Sequence, residues 1–178
     1  MAWRPGRVLI SEEEIAARVG DLGAVIGRDY AGRAPVLVVV LKGAVSFAAD
    51  LARAIPLPVS TDYIGVSTYG SGMRSSGVVR LSQDLSMSIE GRDVIVVEDI
   101  IDTGRTINYL RRNLATRHPA SVALCVLLDK VARREVEVAV DYVGFAIPDE
   151  FVVGYGLDHD GLYRTLRHLA VLEDRPGS

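Results

Sequence analysis

Short, uninterrupted apolar runs alternate along this chain with segments of helical periodicity. The runs lie within the predicted strands 36–41, 93–97 and 121–128. Each is short for a helix and too apolar for a strand with one face in water. Runs of this kind are typical of strands buried on both faces of a parallel sheet. Their alternation with helices therefore predicts an α/β fold with a mostly parallel central sheet.

Helical patterns fill the intervals between the runs. A capping box of Ser11 and Glu14 precedes a predicted helix at 12–31. Further helices are predicted at 44–55 and 104–117. Weaker strand patterns occupy 59–68, 78–81 and 138–143.

The length of 178 residues predicts a single domain, 1–178. We expect its core at about 12–145. The segment 146–172 has no long helical pattern, and we expect it to form most of a small hood over the edge of the sheet. No internal repeat or low-complexity segment is found.

Charge and composition narrow the range of partners. The formal net charge is −3, which leaves no basic face for a nucleic acid. The arginine pairs 111–112 and 133–134 are interpreted as solvated surface. Cys125 has no second cysteine to pair with and is predicted to be a core residue.

None of the apolar runs, the one at 36–41 included, is long enough to span a membrane. The first residues also lack the apolar stretch of a secretory signal. A cytoplasmic protein without a membrane partner is therefore expected.

The most informative segment is an acidic turn at 98–106. Glu98 and Asp99 follow a buried strand, at the edge where parallel sheets bind ligands. Paired carboxylates suit Mg²⁺ or the hydroxyls of a sugar. The next residues, 103–106, open a helix whose free amides suit a phosphate. Read singly, however, Asp102 or Thr103 could simply cap this helix.

The string Val-Val-Glu-Asp-Ile-Ile-Asp-Thr-Gly-Arg-Thr at 96–106 resembles the 5-phosphoribosyl-1-pyrophosphate (PRPP) signature of type I phosphoribosyltransferases. Further segments resemble the hypoxanthine-guanine branch of that family: Leu41-Lys42-Gly43, Thr68-Tyr69, 127–130 and 147–158. The likeness extends to Leu172. It implies the type I phosphoribosyltransferase fold, a mostly parallel sheet flanked by helices with a small hood. It also implies purine salvage, in which PRPP and hypoxanthine or guanine give IMP or GMP and pyrophosphate.

By this resemblance, Asp102 is the catalytic residue and acts at purine N7. Glu98 and Asp99 would bind the ribose hydroxyls, directly or through water held by Mg²⁺. The Leu41–Lys42 peptide, which relatives can hold in a cis form, would contact pyrophosphate. The implied PRPP- and phosphate-binding set is Leu41, Lys42, Gly43, Glu98, Asp99, Asp102, Thr103, Gly104, Arg105, Thr106 and Arg164.

The resemblance also implies a purine site. Lys130 would donate to the 6-oxo group, Phe151 would stack on the ring, and backbone groups of Val152 and Asp158 would read its edge. Without the family, Lys130 could equally be a solvated loop lysine and Phe151 a core residue. The implied metal ligands for Mg²⁺ are Glu98, Asp99 and Asp158. His159 and Asp160 are interpreted as a turn rather than as a metal cluster.

A loop rich in Gly and Ser would close over PRPP through Thr68 and Tyr69. Thr68 stands where serine is common in the family, and Val131 where bacterial relatives often have proline. Neither departure removes a proposed chemical group.

Several alternatives stay open. The acceptor could be xanthine, and adenine is disfavoured by Lys130. An RNA-binding attenuator on the same scaffold is a different class of function, which the net charge of −3 opposes. A catalytically dead subunit is a third. The surplus of Val and Ala favours a homodimer or homotetramer.

Overall fold

The computed structural model describes residues 2–68 and 79–175. The elements in chain order are β1 (Ala2–Ile10), α1 (Glu12–Asp29), β2 (Val36–Leu41), α2 (Val45–Ala54), β3 (Ser60–Thr68), β4 (Val79–Gln83), β5 (Asp93–Ile101), α3 (Arg105–Ala115), β6 (Ser121–Asp129), a 3-10 helix (Val131–Arg133), β7 (Tyr142–Ala146), β8 (Val152–Val153) and β9 (Leu169–Arg175).

A six-stranded sheet forms the centre of the molecule, in the order β4-β3-β2-β5-β6-β7. All its neighbours pair in parallel except β3 and β4, which are antiparallel. The predicted α/β class with a mostly parallel sheet is confirmed.

The sheet is buried on both faces, as its apolar strands predicted. Leu37 and Val39 of β2 pack with α1 and α2, whereas Val36 and Val38 pack on the other face with α3. All four are fully buried. Burial of each such side chain contributes about 1.5–3 kcal/mol of transfer free energy. The carboxyl ends of the central strands are thereby fixed at one edge.

A second sheet has three strands in the order β1-β9-β8. Strand β8 and most of β9 lie in the segment expected to form the hood. Strand β1 was not predicted, because Pro5 and Gly6 interrupt its alternation and because its partner β9 lies at the far end of the chain. The ladder accommodates this interruption with a register shift between Pro5 and Val8.

Some predicted boundaries were wrong. The strand expected at 138–143 lies at Tyr142–Ala146. Val138 and Val140 produced the strand-like pattern because they pack against the core beside α3, although neither of them pairs in a strand. The capping box of α1 is present, with Glu14 N donating to Ser11 Oγ at 3.2 Å and Ser11 N donating to Glu14 Oε2 at 2.8 Å.

Cys125 lies in the core of β6 as expected, and burial raises the pKa of its thiol. No helix within 2–68 and 79–175 has both the length and the hydropathy that a membrane crossing requires.

Candidate active site

The carboxyl ends of β5 and β6 meet the hood at a cavity of about 600 Å³. Its walls come from the end of β5 and the turn after it, from the residues after β6 and from the segment 149–158. A second cavity of about 230 Å³ lies over the turn 98–106 and the end of β2. The two share Asp99 and Asp102, so together they form one continuous candidate site.

Glu98 and Asp99 were expected to begin a turn after a strand that ended at 97, but they lie within β5, which continues to Ile101. Glu98 is only 6% exposed. Burial, and then the neighbouring charge of Asp99, raise the pKa of Glu98 well above its usual range. Burial likewise raises the pKa of Asp99. Two buried carboxylates side by side are stabilised when they bind a proton, a cation or a hydroxyl donor.

This donor set fits Mg²⁺ in one respect. Both side chains supply hard oxygen atoms at the ligand edge of the sheet. No group of three metal-ligating side chains occurs within the described residues. A Mg²⁺ ion bound here would therefore complete its coordination with substrate oxygens and water, which is its usual mode of binding.

Helix α3 begins without a side-chain cap. Its N-cap is Gly104 at φ +85°, and a β-carbon there would crowd Val138 Cγ2 and the Val136 carbonyl. Thr103 Oγ1 comes within 3.4 Å of the Arg105 amide, which is a long contact. Asp102 does not cap the helix. The first turn of α3 borders the smaller cavity at Thr106 and Ile107 and has no side-chain cap, which suits an anion site.

The turn before α3 is hydrogen-bonded to the chain that follows the 3-10 helix. The Thr103 carbonyl accepts hydrogen bonds from the amides of Glu135 and Val136, at 3.0 and 3.1 Å. Arg105 Nη2 also pairs with Glu135 Oε2 at 2.6 Å. The phosphate-ready turn and the residues after β6 are thus joined.

The predicted purine residues line the larger cavity. Lys130 is only 7% exposed, and its Nζ lies 3.7 Å from Asp149 Oδ1. Phe151 is 54% exposed and meets His159 edge to face, with ring centroids 5.6 Å apart. Lys130 is therefore not a solvated loop lysine, and Phe151 is not a core residue.

The interpretation of the second arginine pair as solvated surface is wrong for Arg134 and incomplete for Arg133, whose side chain is 45% exposed but lines the larger cavity. Arg133 reaches into the larger cavity, where its Nε lies 2.8 Å from Asp102 Oδ1 and its Nη1 3.3 Å from Asp149 Oδ1. Those carboxylates raise the pKa of Arg133. Arg134 forms a largely buried ion pair with Asp129, Nη2 to Oδ1, at 2.7 Å. Adjacent arginines look like surface in a sequence, because their carboxylate partners lie far along the chain or in an apolar strand.

The arginines expected on the surface at 111–112 are different. Arg111 Nη2 lies 3.4 Å from Asp141 Oδ2 on the partly exposed flank of α3, away from the cavity. Of these four arginines, Arg133 alone lines the two cavities of the candidate site.

Asp158 and Arg164 are paired with each other, with Arg164 Nη2 2.6 Å from Asp158 Oδ1. Asp158 Oδ2 accepts from the Gly161 amide at 2.7 Å, and Arg164 Nη1 donates to the Gly156 carbonyl at 2.5 Å. Arg164 lines a separate cavity beside Tyr155 and not the two cavities over the acidic turn. Its charge nevertheless lowers the pKa of Asp99, against the larger effect of burial.

His159 and Asp160 form a turn, as interpreted. His159 and Leu162 exchange backbone hydrogen bonds around Asp160 and Gly161, which both have positive φ.

The Leu41–Lys42 peptide is cis. The next residue, Gly43, lies so close to Asp99 that a β-carbon would overlap the Asp99 carboxylate. Gly156 in turn lies against the Gly43 carbonyl. Three segments far apart in sequence therefore meet at Gly43, where no room is left for a side chain. Thr68 ends β3, and Tyr69 lies outside the described residues, so loop closure stays a prediction.

Comparison with known proteins agrees with this geometry. A family model for the phosphoribosyl transferase domain matches residues 10–160. A hypoxanthine-guanine phosphoribosyltransferase of Mycobacterium avium is 51% identical over 174 residues, which cover 94% of this chain and 86% of that protein. One from Streptococcus thermophilus is 46% identical, covering 94% and 93%.

The chain belongs to the phosphoribosyltransferase family, in its hypoxanthine-guanine branch.

Solved structures of the family have the same fold. A hypoxanthine-guanine phosphoribosyltransferase from Bacillus anthracis superposes with a TM-score of 0.91 at 42% identity, over 97% of this chain and 100% of that one. A hypoxanthine phosphoribosyltransferase from Staphylococcus aureus also gives 0.91 at 42% identity, over 95% and 92%. The expected type I phosphoribosyltransferase fold is confirmed.

Proposed function

We propose that this protein acts in purine salvage and transfers the 5-phosphoribosyl group of PRPP to hypoxanthine or guanine, with release of pyrophosphate. The observation that carries the choice of acceptor is Lys130. Its ammonium is nearly buried, at a cavity that Phe151 also lines. A buried donor there favours a base with an oxygen at position 6, because a 6-amino group would leave donors facing donors.

We assign the purine to the cavity of about 600 Å³. Phe151 would stack on the ring, since its side chain is exposed at this cavity. Lys130 would donate to the 6-oxo group. Backbone groups of Val152 and Asp158 would read the remaining edge of the base.

We assign PRPP to the smaller cavity. The amides of the turn, together with the Thr103 and Thr106 hydroxyls, would hold the 5′-phosphate, and Glu98 and Asp99 would hold the ribose hydroxyls. The free first turn of α3 supports this assignment. The remaining residues proposed to bind PRPP or pyrophosphate are Leu41, Lys42, Gly43, Asp102, Gly104, Arg105 and Arg164.

We propose Mg²⁺ as the cofactor: Glu98 and Asp99 would hold it at the ribose, and Asp158 would hold a second Mg²⁺ on the pyrophosphate side. When bound, the ion supplies positive charge to the leaving pyrophosphate. Arg164 would orient the Asp158 carboxylate through their ion pair.

In the reaction, Asp102 would act as general base or as hydrogen-bond acceptor for the proton at purine N7. Positive charge that develops at the ribose C1 would be stabilised by the carboxylates of Glu98 and Asp99. The loop containing Thr68 and Tyr69 would exclude water from that centre.

A PRPP-dependent assay with hypoxanthine, guanine, xanthine and adenine, with and without Mg²⁺, tests this proposal. Turnover of hypoxanthine or guanine that requires Mg²⁺ is expected. A preference for xanthine would assign the chain to that substrate, and tight RNA binding at physiological salt without turnover would support the attenuator class.

We further propose a cytoplasmic homodimer or homotetramer. Light scattering of the purified protein measures the number of subunits, and a monomeric mass contradicts this part of the proposal.

A further inference from the structure

Four alternating charges cross the wall of the larger cavity in the order Asp102, Arg133, Asp149, Lys130. Arg133 lies 2.8 Å from Asp102 and 3.3 Å from Asp149, and Lys130 Nζ lies 3.7 Å from the same Asp149 oxygen. All four residues line the cavity. Arg133 and Asp149 are the members of this row for which the resemblance gave no role.

The backbone fixes Arg133 relative to Lys130. The Arg133 amide donates to the Lys130 carbonyl at 3.0 Å, which closes the 3-10 helix Val131–Arg133 directly after Lys130. A guanidinium is a planar fork that can contact two carboxylates at once, whereas an ammonium is a single point of charge. Arg133 uses this property, because its Nε faces Asp102 and its Nη1 contacts both oxygens of Asp149.

We propose that Arg133 is a positioning residue for the purine, which holds Asp102 at the base and prevents Asp149 from capturing the Lys130 ammonium. This inference rests on the proposed assignment of Asp102 and Lys130 to the purine site.

The environment of Asp102 supports the first part. Its Oδ1 atom is buried and accepts no hydrogen bond from any described residue, although the side chain as a whole is 45% exposed. A buried, unbonded carboxylate oxygen is unfavourable unless a nearby charge compensates it. Arg133 supplies that charge. Without it, Asp102 would turn toward water and away from the base.

The environment of Asp149 supports the second part. Arg133 and Lys130 are its cationic neighbours in the described part of the chain. When Arg133 is removed, the Asp149 carboxylate has Lys130 as its one remaining cationic neighbour among the described residues. An ammonium drawn to Asp149 is less available to a purine oxygen. Because Asp149 is half-exposed, solvent screens this attraction and the effect is moderate.

Steady-state kinetics of Arg133→Gln tests the proposal. We expect the KM for hypoxanthine to rise about fivefold and kcat to fall about tenfold, while the KM for PRPP stays within about twofold. Adding Asp149→Asn to this variant should restore the purine KM to within about twofold of wild type, because nothing then competes for Lys130. The kcat should stay low, because Asp102 still lacks its partner.

Arg167→Gln is the matched control. Arg167 is also an exposed arginine with a carboxylate 3.3 Å away, on Glu12, and it lies outside the two cavities of the candidate site. Its kinetics should equal those of wild type.

Three results would each overturn the proposal: Arg133→Gln with purine KM and kcat both unchanged, a PRPP KM that rises as much as the purine KM, or no recovery of purine KM in the double variant. If Arg133→Gln does not fold, Arg133→Lys provides the test, since it keeps the charge but loses the fork. We expect its kcat to fall about threefold, and wild-type values would exclude the bridging role. A wild-type enzyme that turns over neither hypoxanthine nor guanine identifies a failure of the proposed function instead.

Discussion

The backbone amide of Lys130 donates a hydrogen bond to the carbonyl oxygen of Ile101, 3.0 Å away. Ile101 immediately precedes Asp102, so the residue proposed to recognise the purine is tied to the residue proposed to act on it. Both follow buried parallel strands, β5 and β6, which pair up to Ile101 and Asp129. The distance between Lys130 and Asp102 is therefore set by the pairing of the two strands and not by a flexible loop.

Lys130→Met should reduce the selectivity of the enzyme for 6-oxopurines. We expect kcat/KM for hypoxanthine to fall about 10²-fold, since a buried donor to the base is lost, with little change for adenine. Parallel assays with the two bases measure the ratio. An unchanged ratio would show that Lys130 does not read position 6.

Asp102→Asn should lower kcat by about 10²–10⁴-fold, because an amide cannot take up the N7 proton. The substitution keeps the shape of the side chain, so the dissociation constant for PRPP should change by no more than about threefold. Single-turnover rates and a binding titration separate the two effects. Unchanged turnover would remove Asp102 from the chemistry.

Gly43→Ala should disturb both stability and PRPP binding. Its new methyl group would overlap the Asp99 carboxylate, so the variant should lose about 1–3 kcal/mol in the free energy of unfolding. Gly20→Ala is the matched control. Gly20 is an exposed position in α1 with nothing close to its β-carbon, and that substitution should stabilise by about 0.5–1 kcal/mol. Denaturant titrations compare them, and equal stabilities would contradict the close packing of Gly43 on Asp99.

Glu98→Gln should stabilise the protein at alkaline pH in the absence of Mg²⁺. Burial and Asp99 raise the pKa of Glu98 in the folded state above the ordinary value of 4.5. The folded protein therefore binds more protons than the unfolded chain above that pH. The contribution of Glu98 to stability is full below 4.5 and is lost as the pH rises through its folded pKa.

Because glutamine carries no charge, the variant escapes this loss. Its Tm at pH 8 should exceed that of wild type by about 3 °C or more, with the difference shrinking toward acid. Thermal melts across pH measure this. Added Mg²⁺ should raise the Tm of wild type more than that of the variant, and a pH-independent difference would refute the assignment of the shift to Glu98.

The sequence predicted those parts of the fold that repeat a local pattern. Val36–Leu41 matched its predicted bounds because six apolar residues in a row after Pro35 leave few alternatives. Strand β1 was missed because its stability depends on pairing with β9, which no local pattern reveals. At Val138 the error was reversed: a strand was predicted where none forms, because the side chain is apolar in order to pack beside α3.

The acidic turn was located because its residues are contiguous. Arg133 was missed because its significance depends on Asp102 and Asp149, which reach it only through the fold. Long-range charge contacts of this kind have no periodic signature. Tertiary structure is needed to distinguish Arg133, which lines the cavity, from Arg111, which does not.

The pairing of β1 with β9 brings Ala2 opposite Arg175, so the two ends of the described chain lie side by side. A short peptide could join them, and the covalent chain could then be opened elsewhere without breaking the three-stranded sheet. The exposed turn at Gly32, where no atom crowds a β-carbon, is a suitable place for new termini. A circular permutant opened there should retain purine binding, measurable by titration with guanine in the presence of PRPP analogues. The order of segments along the chain would then be separable from the architecture that they build.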